Sequence, residues 1–197
     1  MAFSASISNE ELSSLALANF EGRIIVVEGE ESMREAEKAL EGAKIIGFDT
    51  ETRPSFSKGV HYSVSLLQLS TQTTAILFRL KKVVLSPKII AILSDSSILK
   101  IGAAIRDDLR ILRAYQEFTP AGFIDLQSIV SQWGIKELSV RKMAAIVLSR
   151  RISKAQRLSN WEATRLTPSQ MDYAAMDAWV CREIYLTLQA SPTVEAQ

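Results

Sequence analysis

The stretch Ile45-Ile46-Gly47-Phe48-Asp49-Thr50-Glu51 decides the fold. An apolar run after the stop at Gly42 and Lys44 predicts a short buried strand. Side chains at i and i+2 of a strand share a face, so Asp49 and Glu51 project together past its buried end. Two carboxylates held that close repel each other and lose hydration unless a cation or proton lies between them. Hard divalent cations such as Mg²⁺ take oxygen ligands of this kind. Taken alone, an acidic strand end running into solvent is the commoner meaning of such a tripeptide, so the rest of the chain must decide.

Upstream, Ser8 with Glu11 makes a capping-box pattern before Leu12, Leu15 and Leu17, which predicts a short helix over 8–18. Ile24 to Val27 reads as a strand. Ser32 with Glu35 offers a second capping box, and Met33, Ala36 and Leu40 form a helical stripe ended by Gly42. Downstream, Arg53 to Gly59 reads as a loop, and His61–Thr71 and Thr74–Leu80 as antiparallel strands, a meander with the acidic strand. Helix (Pro87–Leu93), strand (Ile98–Ile101), helix (Arg106–Tyr115) and strand (Phe123–Asp125) then alternate. That alternation predicts an α/β fold with parallel pairing in the later part of the sheet. Beyond Leu126 the pattern is wholly helical, closing on a long helix from about Pro168, a favoured first-turn residue.

The 197 residues suit one domain with a substantial core, and 47% apolar with 23% charged residues is ordinary for a globular chain. No apolar run is long enough to span a membrane, and Glu10 and Glu11 stand where a signal peptide would be basic. Cys181 is the only cysteine, which excludes an intrachain disulfide and a thiolate zinc site and favours a reducing, intracellular and cytoplasmic setting. His61 is the only histidine, so multi-histidine sites are excluded and acid–base chemistry must rest on carboxylates, tyrosine or metal-activated water. Net charge is +1 but uneven: residues 1–51 hold eleven acids and four bases. Between Glu137 and Glu162 stand six bases and no acid: Arg141, Lys142, Arg150, Arg151, Lys154 and Arg157. The strip reads either as a solvated face or as a phosphate-contacting surface.

Two further stretches carry candidate ligands. In Lys100-Ile101-Gly102-Ala103-Ala104-Ile105-Arg106-Asp107-Asp108-Leu109 a strand meets a helix with acids in its first turn, which the helix dipole alone favours. In Tyr173-Ala174-Ala175-Met176-Asp177 the tyrosine and aspartate stand at i and i+4 on one helix face, with alanines that let something approach closely.

In order, FDTET, IGAAIRDDLRIL and YAAMD resemble the three motifs of the DEDD 3′–5′ exonuclease superfamily. Tyr173 in the third motif makes the chain similar to the tyrosine subclass, which includes ribonuclease D and the exonuclease domain of Werner-type proteins. SVSLLQLST, TAILFRL and LSNWEATRLTPSQMDYAAMDAW extend the resemblance, which runs from about Ile24 to Leu188. It implies a ribonuclease H-like mixed sheet flanked by helices, with an N-terminal helical extension over 1–22, the exonuclease domain over 23–190 and a disordered tail over 191–197. It further implies two divalent cations, Mg²⁺ or Mn²⁺, held by Asp49, Glu51, Asp108 and Asp177, and stepwise hydrolysis of DNA or RNA from the 3′ end to nucleoside monophosphates. Counting from Gly102 puts the second-motif ligand on Asp108, with Asp107 facing solvent. Tyr173 would orient the attacking water beside Glu51. The basic strip would track single-stranded or 3′-overhang nucleic acid, with Trp161, Phe56 and Tyr62 as stacking surfaces. A nucleic-acid-binding module of the same fold with weak catalysis is the alternative, although all four carboxylates are present.

Overall fold

The computed structural model of the chain describes residues 3–55, 59 and 62–194. Six strands form one mixed sheet: β1 (Arg23–Val27), β2 (Ile45–Thr52), β3 (Val64–Ser70), β4 (Thr74–Arg79), β5 (Leu99–Gly102) and β6 (Phe123–Asp125). The order across the sheet is β1-β4-β3-β2-β5-β6. β2, β3 and β4 are the expected antiparallel meander. β5 pairs parallel with both β2 and β6, and β1 pairs parallel with β4. The α/β reading therefore holds, with the acidic strand β2 near the centre.

Strand alternation divides the apolar residues between two layers. Ile46, Phe48, Leu67, Leu69, Ile76 and Phe78 pack against α2 (Glu30–Leu40), α3 (Pro87–Ser94) and α4 (Ile105–Tyr115). The opposite face carries α5 (Leu126–Ile129), α6 (Val140–Leu148) and the long α7 (Pro168–Gln189). α7 begins as its sequence suggests: Thr167 caps Gln170 N–H, Gln170 reaches back to the Thr167 N–H, and Pro168 opens the first turn.

What sets α7 is the absence of side chain at its contact with β2. A Cβ built on Gly47 would stand 1.9 Å from the Ala178 carbonyl oxygen and 2.4 Å from Ser70 Oγ. Ala174, Ala175 and Ala178 are all buried on that helix. The backbone of α7 thus lies directly on the strand, and its one register carries Tyr173 and Asp177 to the end of β2. On the other layer Lys100 is buried, and its ammonium donates to the carbonyls of Ile92 (2.9 Å), Asp95 (2.7 Å) and Ile98 (2.7 Å). Burial pulls its pKa down to about 8, while the three carbonyls satisfy its donors and close the end of α3.

Several boundaries differ from the expectation. The first helix, α1, runs only Asn9–Ser14, although Ser8 and Glu11 do form the capping box. α2 starts two residues before Ser32, whose hydroxyl instead accepts from the N–H groups of Glu28 (3.1 Å) and Gly29 (3.2 Å). Residues 149–167 are irregular rather than helical. The C-terminal residues are tied down as far as Val194, whose N–H donates to Gln132 O at 2.9 Å, and Ser191 O accepts from the Trp133 indole at 3.1 Å. Residues 195–197 lie outside the described residues.

Gly47→Ala is expected to lower stability by about 1–3 kcal/mol, the usual cost of inserting a methyl group into close-packed structure. It should also reduce affinity for divalent cations, because α7 must lift from β2. Denaturant melts and Mn²⁺ titration of the variant check both, and an undisturbed melt would show that α7 does not depend on this contact.

Candidate active site

The three carboxylates of Asp49, Glu51 and Asp177 converge, with one oxygen of each lying within 4.8 Å of the others. Asp49 and Glu51 are brought together by strand alternation, as expected, and Asp177 by the seating of α7 over Gly47. The ladder slips a register between Glu51 and Thr52, a bulge at the strand end that carries the site. Burial first, then mutual repulsion, pushes the Asp49 carboxyl well above the ordinary range; Asp177 is raised by burial, opposed by the hydroxyl of Tyr173. Glu51 rises to about 8, again from burial and then from Asp177 and Asp108, with Arg157 pulling it back. Tyr173 is driven upward by burial and by the same carboxylates, so it is a neutral phenol at physiological pH.

Asp108 reaches the strand end from the opposite layer. Its neighbour in the strand is Thr50, whose hydroxyl donates to Asp108 Oδ1, and burial raises its pKa. Thr50 points away from Asp49 and Glu51, so Asp108 stands at the rim of the trio rather than within it. Asp107 faces solvent as expected and pairs with Arg110 at 3.3 Å. The turn before α4 is set by a residue that the sequence did not single out. Asp125 accepts from the N–H groups of Ala104 (3.0 Å), Ile105 (3.2 Å) and Gln127 (2.9 Å), which holds Ala104 in the left-handed region at φ 57°. An aspartate at the opening of a helical stretch is the only signal of it in the sequence.

The basic residues do not act as one strip. Arg141, Lys154 and Arg157 line a groove of about 240 Å³ together with Asp49, Tyr173 and Asp177. Lys142 is paired with Glu137 at 2.8 Å, and the Arg151 guanidinium donates to Leu15 O at 2.9 Å. Arg150 is exposed and donates to the neighbouring Ser149 O. Trp161 corrects the stacking expectation, since it is 0% exposed and packs with Leu66, Leu77, Ala174 and the Tyr173 ring. A base has no access to it. Its indole N–H lies toward Glu51 and draws that carboxyl downward, yet makes no hydrogen bond of ordinary geometry. Gln68, opposite Asp49 in the ladder, likewise has both amide atoms buried without a partner among the described residues. Tyr62 is covered by the Arg53 guanidinium, 4.9 Å from its ring centre, and Phe56 and His61 lie outside the described residues.

The sheet, its two helical layers and the acidic end of β2 define a ribonuclease H-like α/β domain with a carboxylate site. A family profile described as 3′–5′ exonuclease matches residues 24–191. The chain belongs to this family of hydrolytic exonucleases. It is 35% identical to Exonuclease 3′-5′ domain-containing protein 2 of Drosophila melanogaster over 149 residues, which is 74% of this chain and 25% of that protein. Ribonuclease D of Gluconacetobacter diazotrophicus is 31% identical over 99 residues, 49% of this chain and 25% of that one. The chain thus spans about a quarter of the length of these relatives. Among solved structures, the Aedes aegypti Nibbler EXO domain superposes with a TM-score of 0.75 at 21% identity, covering 89% of this chain and 91% of that one. No helix among the described residues is long and apolar enough to cross a membrane.

The raised carboxyl groups fix the sign of the pH response. Each is favoured in its protonated form by folding, so its contribution to stability is complete below the ordinary carboxylate pKa and is lost as pH rises through the folded value, about 8 for Glu51. The metal-free protein is therefore expected to melt at progressively lower temperature between about pH 5 and about pH 8. Mg²⁺, which needs ionised ligands, should raise the melting temperature more at the upper end. Scanning fluorimetry with and without chelator measures this; a metal-free midpoint that climbs over that interval contradicts the crowded carboxylate site.

Proposed function

We propose that this chain is a divalent-cation-dependent 3′–5′ exonuclease that hydrolyses the terminal phosphodiester bond of DNA or RNA and releases nucleoside monophosphates. The observation that carries the reading is the convergence of Asp49, Glu51 and Asp177 within 4.8 Å, beside a groove lined by Arg141, Lys154 and Arg157. An all-oxygen donor set that repels itself when ionised suits hard cations, Mg²⁺ or Mn²⁺. Asp49, Glu51 and Asp177 would hold them, with Asp108 turning from Thr50 to complete the set. Bound there, the cations would activate water and stabilise the leaving oxygen, the two roles of a two-metal site.

The chain's own residues supply the remainder. Water oxygen adds to phosphorus in line, the bond from phosphorus to the 3′ oxygen of the penultimate nucleotide breaks, and that oxygen takes up a proton. Tyr173, a neutral phenol, cannot serve as the base; its one proton, directed at Asp177 in the free protein, would turn to the water or the phosphate and align it. Arg157 and Lys154 engage the phosphates of the remaining strand.

The deciding experiment is a Mg²⁺ and Mn²⁺ titration with a 5′-labelled oligonucleotide bearing a 3′ overhang. Stepwise shortening is expected; binding without shortening would leave a nucleic-acid-binding module. Asp177→Asn should abolish shortening, and Asp108→Asn should be far more damaging than Asp107→Asn, because Asp107 is spent on Arg110 at the surface. Equal loss in the two neighbours would mean that both acids face the cations.

Changing Arg141, Lys154 and Arg157 together to Ala should weaken binding and reduce the logarithmic salt slope by about 0.7 for each phosphate that is no longer neutralised. Arg151→Ala should leave the slope unchanged and lower the melting temperature, since its guanidinium holds the backbone at Leu15. Binding isotherms at several salt concentrations separate the two outcomes, and an unaltered slope in the triple variant returns those residues to a solvated surface.

A further inference from the structure

The side-chain atoms buried without a hydrogen bond among the described residues are both amide atoms of Gln68, the Ser70 hydroxyl and the Trp161 indole nitrogen. They gather beneath α7, where Ser70 stands opposite Gly47 in the ladder and Trp161 packs with Ala174. The indole N–H lies toward Glu51, as described above. Gln68 has no such excuse in its strand neighbours. On its own face it is flanked by Leu66 along β3 and by Leu77 across the ladder in β4, both fully buried. A leucine or methionine would fill the same space and avoid the cost of an amide taken from water without partners. A buried polar group of this kind in a close-packed interior has a functional or structural cause.

The register supplies one. Gln68 stands directly opposite Asp49 and shares its face, so their Cβ atoms lie about 4.5–5.5 Å apart. Rotation about the glutamine side-chain torsions carries the amide across that gap to the carboxylate. In the structure Asp49 accepts from the Thr50 N–H at 2.9 Å. An ionised carboxylate has about four lone-pair sites, so one that ligates a cation still has room for a second donor. A lysine or arginine in this place would compete with the cation through its charge, whereas an amide donates and stays neutral. We propose that Gln68 is a positioning residue for Asp49: its amide N–H donates to the carboxylate when a divalent cation is bound, and fixes which oxygen faces that cation. The proposal rests on the divalent-cation reading of the acids and adds to it a neutral residue from the neighbouring strand.

The test measures the Mn²⁺ affinity of the full chain by calorimetry without substrate, and its melting temperature in chelator. Gln68→Met keeps the length of the side chain and removes both polar atoms. Its metal-free melting temperature should rise by about 2–4 °C, because a buried amide without partners is gone. Its Mn²⁺ dissociation constant should nonetheless increase about 10-fold, the usual effect of losing a hydrogen bond to a metal ligand. Gln68→Leu should behave in the same way. Ser70→Ala is the control, since it too removes a buried unbonded group from that face, but one opposite Gly47 rather than Asp49. It should gain stability and keep the Mn²⁺ affinity of wild type. Wild-type affinity in both Gln68 variants overturns the proposal and leaves the metal site intact. A lower metal-free melting temperature or a failure to fold in both also overturns it, because the amide then serves the fold itself. Equal loss of affinity in Ser70→Ala does so as well, by reporting a general disturbance of the face. A wild type that binds no Mn²⁺ withdraws the divalent-cation reading and this proposal with it.

Discussion

The contact of one helix backbone with one strand governs the rest of this molecule. Gly47 has no side chain, and the buried alanines of α7 have little, so the helix rests on the sheet at a distance that larger residues would forbid. The energetic gain of that contact is close packing and apolar burial. Its chemical result is that an acid on the last helix meets two acids on the second strand. The meeting is unfavourable on its own: burial raises all three carboxyl groups, and repulsion from neighbouring acids raises Asp49 and Glu51 further. The fold therefore holds acids together against their own repulsion, which a proton or a cation between them would relieve.

Supports for this arrangement come from both layers. Asp125 fixes the turn that aims α4, while Thr50 engages Asp108 from the strand face opposite the other acids. Trp161 fills the space behind Tyr173 and Glu51 without reaching solvent. These residues surround the carboxylates with a shell whose rotamers are restricted by packing, and much of the site's definition resides there.

Regular spacing made much of this legible in the sequence. Alternation put Asp49 and Glu51 on one face, the helical repeat put Tyr173 over Asp177, and the same repeat turned Asp107 outward. The meander and the later parallel strands were likewise visible, because apolar runs and breakers marked them. What spacing does not encode is how an irregular segment is folded back. The loop over 149–167 has no period, so nothing in it revealed that Trp161 is buried, that Arg151 is bonded to the N-terminal segment, or that Arg141, Lys154 and Arg157 alone turn toward the acids. The start of α2 differs from its sequence pattern for a local reason: a serine followed three residues later by a glutamate fits two positions of a cap, and the hydroxyl serves here from inside the helix.

The far end of that irregular loop is fastened to the sheet edge by charge. Arg79, 2% exposed, pairs with Glu28 at 3.0 Å and donates to Ala163 O, and Lys82 bridges Glu28 and Thr164 O at 2.8 and 2.9 Å. Glu162 is held in turn by Lys81 at 3.2 Å and Arg53 at 3.5 Å. The loop is thus moored at its C-terminal end to strand termini, and at its N-terminal end to the segment that Arg151 grips. Its span acts as a gauge bar of fixed length between two abutments. The position of the loop beside the acids is then a property of the sheet itself.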